Sequence, residues 1–472
     1  MKIRHFIPPV TVFFMFVCVC ADLAAQTQSA KTGKKPVSSV IRETEIYIEA
    51  MSWFRKGESM IGTDRENGDE QTKMFQKAIE IRPEFLEAHY NLGLIYMNRN
   101  KMADAAAEFE TVLRIEPNFD PGIYYLIGVA RREAGNPEEA VAAFENGLRR
   151  KPEDMAMLKA LGYLQLQTNR DDAAAATLRK IAAADPADVP ARMNLAILYR
   201  KKDDIEKAAA EYKEVLGIDP ENFTARYNLG LIYARQRKMA EAAVEFDKAR
   251  SIEPGNVELL ENLGDARAYL KQHIQAADAY RAALDKAGDA KTLLPKLGFS
   301  LAGARRITEA IEVLEKAVEL DRKNPDLWFF IGDLYADSEK SEKAMDAYRK
   351  SLELRPDQKE IQLNLGVLYA ESGMYAEAMT ELRRAAAIDP DYVSAWSNIA
   401  LVAEKLENEK EAMEAHEKLI LLGGATAYNY FHLGVLYAKN DKPDQSIAAF
   451  AKAIELEPEK YRAIIERIRR HE

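Results

Sequence analysis

Beyond Cys20 the chain has no cysteine; its only two are Cys18 and Cys20. Past that segment no disulfide, thiolate nucleophile or cysteine-held metal can exist. Histidine is scarce as well, six in 472 residues, and no two stand at helical spacing, which argues against a zinc site. No Gly-rich phosphate loop, HExxH pair or GxSxG elbow occurs. HEKLI at His416 is half of a metalloprotease motif and reads as a packed aromatic substitute on a helix. The acidic run DRENGDE lacks the ligand spacing of a calcium loop and reads as a solvated turn. Basic charge is in deficit: Lys and Arg number 66 against 76 Asp and Glu, a formal net charge of -10. That balance argues against nucleic acid or an anionic membrane as the main partner. The expectation is a non-enzyme that needs no cofactor and no metal.

Long apolar runs are also rare, and the one present is at the start. MKIRH carries Lys2 and Arg4, Phe6–Ala21 is apolar, and ADLAAQ follows. A basic start, a short apolar run and small residues are the parts of an export signal, with cleavage expected after Ala25. Sixteen apolar residues interrupted by Pro8 and Pro9 fall short of the ~20 a spanning helix needs. Retention as an inner-membrane anchor is an alternative. So is a lipoprotein through Cys18 or Cys20, although each follows Val rather than a small residue. Residues 26–42, polar and turn-prone, are expected to form a flexible tether. Export without cysteine points to the periplasm of a bacterial envelope.

What remains is soluble and foldable in composition, 47% hydrophobic and 30% charged. It is too long for one compact core. It is also periodic. YNLGLIY occurs at Tyr90–Tyr96 and again at Tyr227–Tyr233, and prolines recur at Pro83, Pro117, Pro152, Pro186, Pro220 and Pro254, then at Pro356, Pro390 and Pro458. The step is 34 residues, with a single 35 near Asp120. A small residue returns on that step from Gly93 to Gly434, and a second small residue lies twelve positions after each, from Ala105 to Ser446. A fixed period in this range means stacked supersecondary units.

Each unit is expected to be two amphipathic helices joined by a polar turn. Leu229, Ile232 and Tyr233 make one apolar face, and AEAAVEFDKARSI a second. Gly230 and Ala242 would meet across the pair. Phe109, Phe144, Tyr212, Phe246 and Phe450 would fill the space between pairs. The terminal proline separates one pair from the next, and Asn136–Pro137–Glu138–Glu139 has the order of a helix start.

This pattern resembles the tetratricopeptide repeat family, from about Ser52 to Glu459. The resemblance implies an all-α, right-handed α-solenoid of about twelve helix–turn–helix units, with first helices lining a concave groove. Residues 43–85 would be a degenerate first repeat with an N-terminal helix, 86–460 eleven units, and 461–472 a C-terminal capping helix. Departures cluster where the proline is missing near Gly288 and Arg322, at Pro295 inside a first helix, and around Trp396–Gly424. These are candidate bends.

The sharpest functional signal is Asn two positions before the small residue, at Asn91, Asn194, Asn228, Asn262, Asn364 and Asn398. An amide both donates and accepts, so such a ladder would hold an extended peptide backbone without reading its sequence. It is similar to the asparagine ladder in the superhelix of O-linked N-acetylglucosamine transferases, although no transferase domain has a counterpart here. One position earlier stand the candidate groove aromatics Tyr90, Tyr125, Tyr227, Phe329 and Phe431. The basic clamp by which some family members hold acidic C-terminal tails is incomplete: Lys159 and Asn194 are present, but Tyr163 and Pro190 occupy other clamp places. Two expectations follow. One is a protein- or peptide-binding scaffold of the envelope; the alternative is a structural spacer or self-associating array with no dedicated groove.

Overall fold

The computed structural model describes residues 37–286 and 288–469. The expected leader, residues 1–25, lies outside them, as does the first part of the expected tether. The tether's last six residues do not form a linker. They open the helix Val37–Glu58, whose Ala50 and Phe54 are buried with Phe75 and Phe85. Once that anchored turn exists, extending the helix toward the N-terminus adds one hydrogen bond per residue at little cost.

Among the described residues there are 25 helices and no strand. The molecule forms two compact bodies divided at Ala225/Arg226, within the helix Phe223–Arg235. The first body holds the pair Val37–Glu58 and Asp69–Ile81 and four further pairs, ending at Ile218. The second runs from the helix Met239–Ile252 through six complete pairs to a terminal helix, Pro458–Arg469. In each body a second helix packs on the first helix of its own repeat and on that of the next. This is the α-solenoid expected from the period.

The interior explains the small residues, with a correction. A Cβ on Gly230 would stand 2.5 Å from the Phe246 ring, and one on Gly93 2.6 Å from Phe109. The glycine therefore makes room for the ring sixteen residues later, more than for the alanine at twelve. The rings lie inside the pair, against its first helix, not between pairs. Phe109, Phe144 and Phe246 are wholly buried, each a burial that stabilises by about 1.5–3 kcal/mol. Gly57 and Phe75 repeat the arrangement in the degenerate first unit.

The turn between paired helices is equally regular. The residue seven places after the small one has positive φ in all eleven regular repeats, from Asn100 to Asp441. Only Gly135 and Gly373 are glycine there. A left-handed residue ends one helix and re-aims the chain for its antiparallel partner.

Other expectations shift in detail. Asn136 stands at an N-cap but its side chain makes no capping bond, whereas Asp154, Asp188 and Asp204 do cap. Pro295 deprives the Lys291 carbonyl of its partner, yet the helix runs unbroken from Ala290 to Gly303, held by buried Leu293, Leu297 and Leu301. Where the proline is missing, Asp289 and Asn324 cap the following helices instead. Pro458 opens the terminal helix three residues before the expected 461. Tyr461 and Ile465 of that helix cover Phe450 and Phe431. Residues 59–68 form turns and bends that take in most of the acidic insertion, whose last two residues, Asp69 and Glu70, open the next helix.

Candidate functional site

Within each body the first helices of neighbouring repeats touch directly, as Gly122–Glu133 meets Met155–Gln167 and Lys359–Glu371 meets Val393–Lys405. The ladder place lies on their shared face. All six ladder asparagines are half-buried. Asn91, Asn194 and Asn398 donate to carbonyls four residues earlier on their own helices, at Glu87 (2.7 Å), Pro190 (2.9 Å) and Ser394 (2.9 Å). Among the described residues their Oδ1 atoms accept nothing from the chain, so each retains an acceptor and one N–H.

Elsewhere in the second body the same place laces one repeat to its predecessor. Asn262 donates to the Glu258 carbonyl (2.8 Å) and to the Tyr227 hydroxyl (3.0 Å). Lys296 reaches Glu261 (2.9 Å) and both oxygens of Asp265 (2.8 Å). Phe330 meets Phe299 edge-on, with ring centroids 4.5 Å apart. Asn364 comes only to 3.5 Å from Asp333. His432 lies 3.2 Å from Glu404. The ladder is thus interrupted, and partly committed to holding repeats together.

The five candidate aromatics are half-buried too, and each rests on the aromatic nineteen residues later. The ring centroids of Tyr90–Phe109, Tyr125–Phe144, Tyr227–Phe246, Phe329–Tyr348 and Phe431–Phe450 are 5.8–6.1 Å apart. These are normal aromatic packing distances, and Tyr90 also meets Phe119 at 5.8 Å and Phe431 meets Tyr461 at 5.0 Å. Burial, followed by the Glu258 carboxylate, pushes the Tyr227 hydroxyl above its usual pKa, so it stays protonated.

A more exposed column went unnoticed in the sequence. The residue immediately after the small one is apolar in nine of eleven repeats, Asp265 and Asp333 being the exceptions. Tyr163 (56% exposed) and Ile197 (44%) carry this column in the first body, Phe299 (40%) and Leu401 (45%) in the second. At the other five apolar positions the residue is half-buried, and Leu94, Val129 and Val435 pack against the core. The signal was an apolar residue kept on the 34-residue period.

His416 takes the ring position of its repeat and is fully buried. Its Nε2 lies 2.9 Å from Glu404 Oε1, and its Nδ1 accepts from Asn429 Nδ2 at 3.3 Å. It packs as a substitute for an aromatic, with its polar edge satisfied. Lys159, half of the incomplete clamp, is engaged by Asp188 at 2.6 Å. No group of three metal-ligating side chains occurs among the described residues, and none of their helices is long and apolar enough to cross a membrane.

Profiles described as tetratricopeptide repeat match residues 86–119, 125–189, 223–256, 296–359, 336–404 and 427–460, and one described as TPR repeat matches 196–236. Together they span more than half of the sequence. The chain belongs to the tetratricopeptide repeat family. A curated relative, Protein CTR9 homolog of Arabidopsis thaliana, is 23% identical over 121 residues, 26% of this chain and 11% of that protein. The match therefore spans about a tenth of the relative's length. Among solved structures, the C-terminal part of a TPR repeat-containing protein from Cytophaga hutchinsonii is 18% identical, covering 50% of this chain and 98% of that one, with a TM-score of 0.44. YrrB, described as a TPR protein with an unusual peptide-binding site, is 24% identical, covering 40% and 97%, with a TM-score of 0.34.

Proposed function

We propose that this tetratricopeptide repeat chain is a non-catalytic scaffold of the bacterial cell envelope. Residues 1–25 export it to the periplasm, and its first-helix face holds an extended segment of a protein partner. The reading is supported above all by Asn91, Asn194 and Asn398, whose Oδ1 atoms have no donor among the described residues, the last two beside the exposed Ile197 and Leu401. A peptide backbone supplies the matching N–H groups at any sequence, and apolar side chains on alternate residues find the column. These acceptors are open to water, which a bound chain would exchange for its own N–H groups.

The test is crosslinking in envelope extracts, with a photoreactive residue at Tyr163 in the wild type and in the combined Asn91→Ala, Asn194→Ala, Asn398→Ala variant. Circular dichroism confirms that the variant folds, since each amide bonds only to its own helix. A discrete partner that crosslinks to the wild type and disappears in the variant is the expected result. An identical crosslinking pattern in both would sink the groove reading and favour the spacer. Fractionation of tagged chain, with N-terminal sequencing of the mature protein, tests export; a chain found wholly in the cytoplasm would refute it.

A further inference from the structure

Two repeats of the second body carry the same polar arrangement, one complete and one not. In the Gly264 repeat, Tyr280 donates to Asp265 Oδ1 at 2.7 Å, and the Lys296 ammonium closes on both oxygens of that carboxylate at 2.8 Å. In the Gly332 repeat, Tyr348 donates to Asp333 Oδ1 at 2.6 Å in the same way. The ladder place of the next repeat, where Lys296 stood, now holds Asn364. Its shorter amide reaches only 3.5 Å from Asp333. Asp337, four residues along the same helix face, adds a second carboxylate, and like charges at this spacing repel. Among the described residues, neither Asp333 nor Asp337 has a cation at ion-pair distance. Burial, followed by Asp337, pushes the Asp333 carboxyl above the usual carboxylate range. The Gly264 repeat therefore shows what this place looks like when filled, and the Gly332 repeat leaves it open.

The surroundings define what would fill it. Phe330, one helical turn before Asp333, stands edge-on to Phe299 of the preceding repeat, and Phe299 is 40% exposed. An apolar step thus adjoins an anionic one on the same face.

We propose that the partner segment presents a lysine or arginine next to a large apolar residue, the cation pairing with Asp333 and Asp337 as Lys296 pairs with Asp265, and the apolar side chain resting on Phe299 and Phe330. This rests on the scaffold reading above and names the chemistry of its partner. The stem of a lysine or arginine covers apolar surface while its head stays polar, and a cation over an exposed ring adds attraction. Electrostatic complementarity of this kind sets specificity and register more than raw affinity. It selects among the segments that a backbone-reading ladder would otherwise accept alike.

The test is fluorescence anisotropy on the full chain with two dye-labelled peptides of equal length, one alternating lysine and leucine, the other glutamate and leucine. The lysine peptide is expected to bind and the glutamate peptide not. The Asp333→Asn, Asp337→Asn double variant should weaken binding at least tenfold, and Phe299→Ser at least fivefold. Asp333→Asn keeps an acceptor for Tyr348, so folding is preserved. Because the whole chain is acidic, the charge-matched control Glu342→Gln, Glu353→Gln, on the exposed side of the second helix, should stay within twofold of wild type. Asn364→Lys should fill the place from within, raise the melting temperature and abolish peptide binding.

Equal loss in the control variant would mean nonspecific attraction and overturn the proposal. So would undiminished binding by the Asp333/Asp337 variant, or failure of wild type to bind the lysine peptide. If peptides bind and are lost only in the Asn91/Asn194/Asn398 variant, the scaffold reading stands and this inference falls. Absence of any crosslinked partner at Tyr163 would remove the reading itself.

Discussion

Tyr280 and Asp265, fifteen residues apart, close each helix pair of their repeat with a 2.7 Å hydrogen bond, and Tyr348 with Asp333 does the same. Tyr212 occupies the equivalent ring position, but fifteen residues before it stands Ile197. Among the described residues its buried hydroxyl has no partner. An unsatisfied buried hydroxyl costs about 1–3 kcal/mol. Tyr212→Phe should therefore leave the melting temperature unchanged or raised, and Ile197→Asp should restore the missing acceptor and stabilise. Tyr280→Phe should be destabilising. Thermal scans of the three variants decide the matter; a lower midpoint for Tyr212→Phe would mean that its hydroxyl is satisfied.

The glycines on the first helices separate into two kinds. A Cβ on Gly93 would come within 2.6 Å of the Phe109 ring, whereas one on Gly162 would meet nothing closer than 3.5 Å, at Thr177. Gly93→Ala should overpack the pair and cost about 1–3 kcal/mol. Gly162→Ala should be neutral or stabilise by up to about 1 kcal/mol, because alanine is the better helix former. Urea unfolding of both variants checks this, with the N-terminal body's amide exchange as a second readout, since repeat arrays lose strict two-state behaviour. Equal effects at the two positions would refute the ring-fitting account.

Much of this fold could be read from the period. A small residue every 34 positions and a second one twelve later mark helix pairs, and both survive in the structure. Which atoms meet could not be read. Gly230 and Ala242 are both small, and only the packed pair shows that Phe246 is what the glycine admits. The site was less legible still. Asn194 and Asn262 look alike in sequence, yet one bonds only within its helix while the other also reaches Tyr227, because cross-repeat partners depend on what stands one period earlier. Lys296, Phe330 and His432 were not singled out in the sequence, although each uses the ladder place to grip the previous repeat. The exposed column from Tyr163 to Leu401 was missed because apolar residues on a helix are read as core by default.

The inter-helix turn gives a backbone test. Gly373 has φ of 78° and Glu407, at the same place in the next repeat, 55°. Holding a residue with a Cβ in this conformation costs roughly 1–2 kcal/mol. Gly373→Ala should destabilise by about that amount, and Glu407→Gly should lower stability little or raise it. Melting temperatures moving the other way would show that side-chain contacts, not backbone strain, govern these turns.

Two buried charges near opposite ends of the chain predict opposite responses to pH. Burial works against the Glu404 carboxylate, but hydrogen bonds from His416, His432 and the Tyr428 hydroxyl (2.7 Å) outweigh it and hold its pKa well below the usual range. A depressed folded pKa contributes stability above the unfolded value of about 4.3, and that contribution fades as pH falls through the window below it. His89 is the reverse. Burial again opposes the charge, but Glu108 at 2.5 Å and the Pro83 carbonyl at 2.9 Å outweigh it and raise its pKa. Its contribution is complete below the unfolded value of about 6.5 and is lost as pH climbs through the raised folded value. Acid should therefore loosen the repeats around His416 first, and mild alkali those around His89. Amide exchange at pH 2.5, 6 and 8 reads each region separately. Glu404→Gln should flatten the acid response and His89→Gln the alkaline one, and a response unchanged by either variant would exclude that pair as its source.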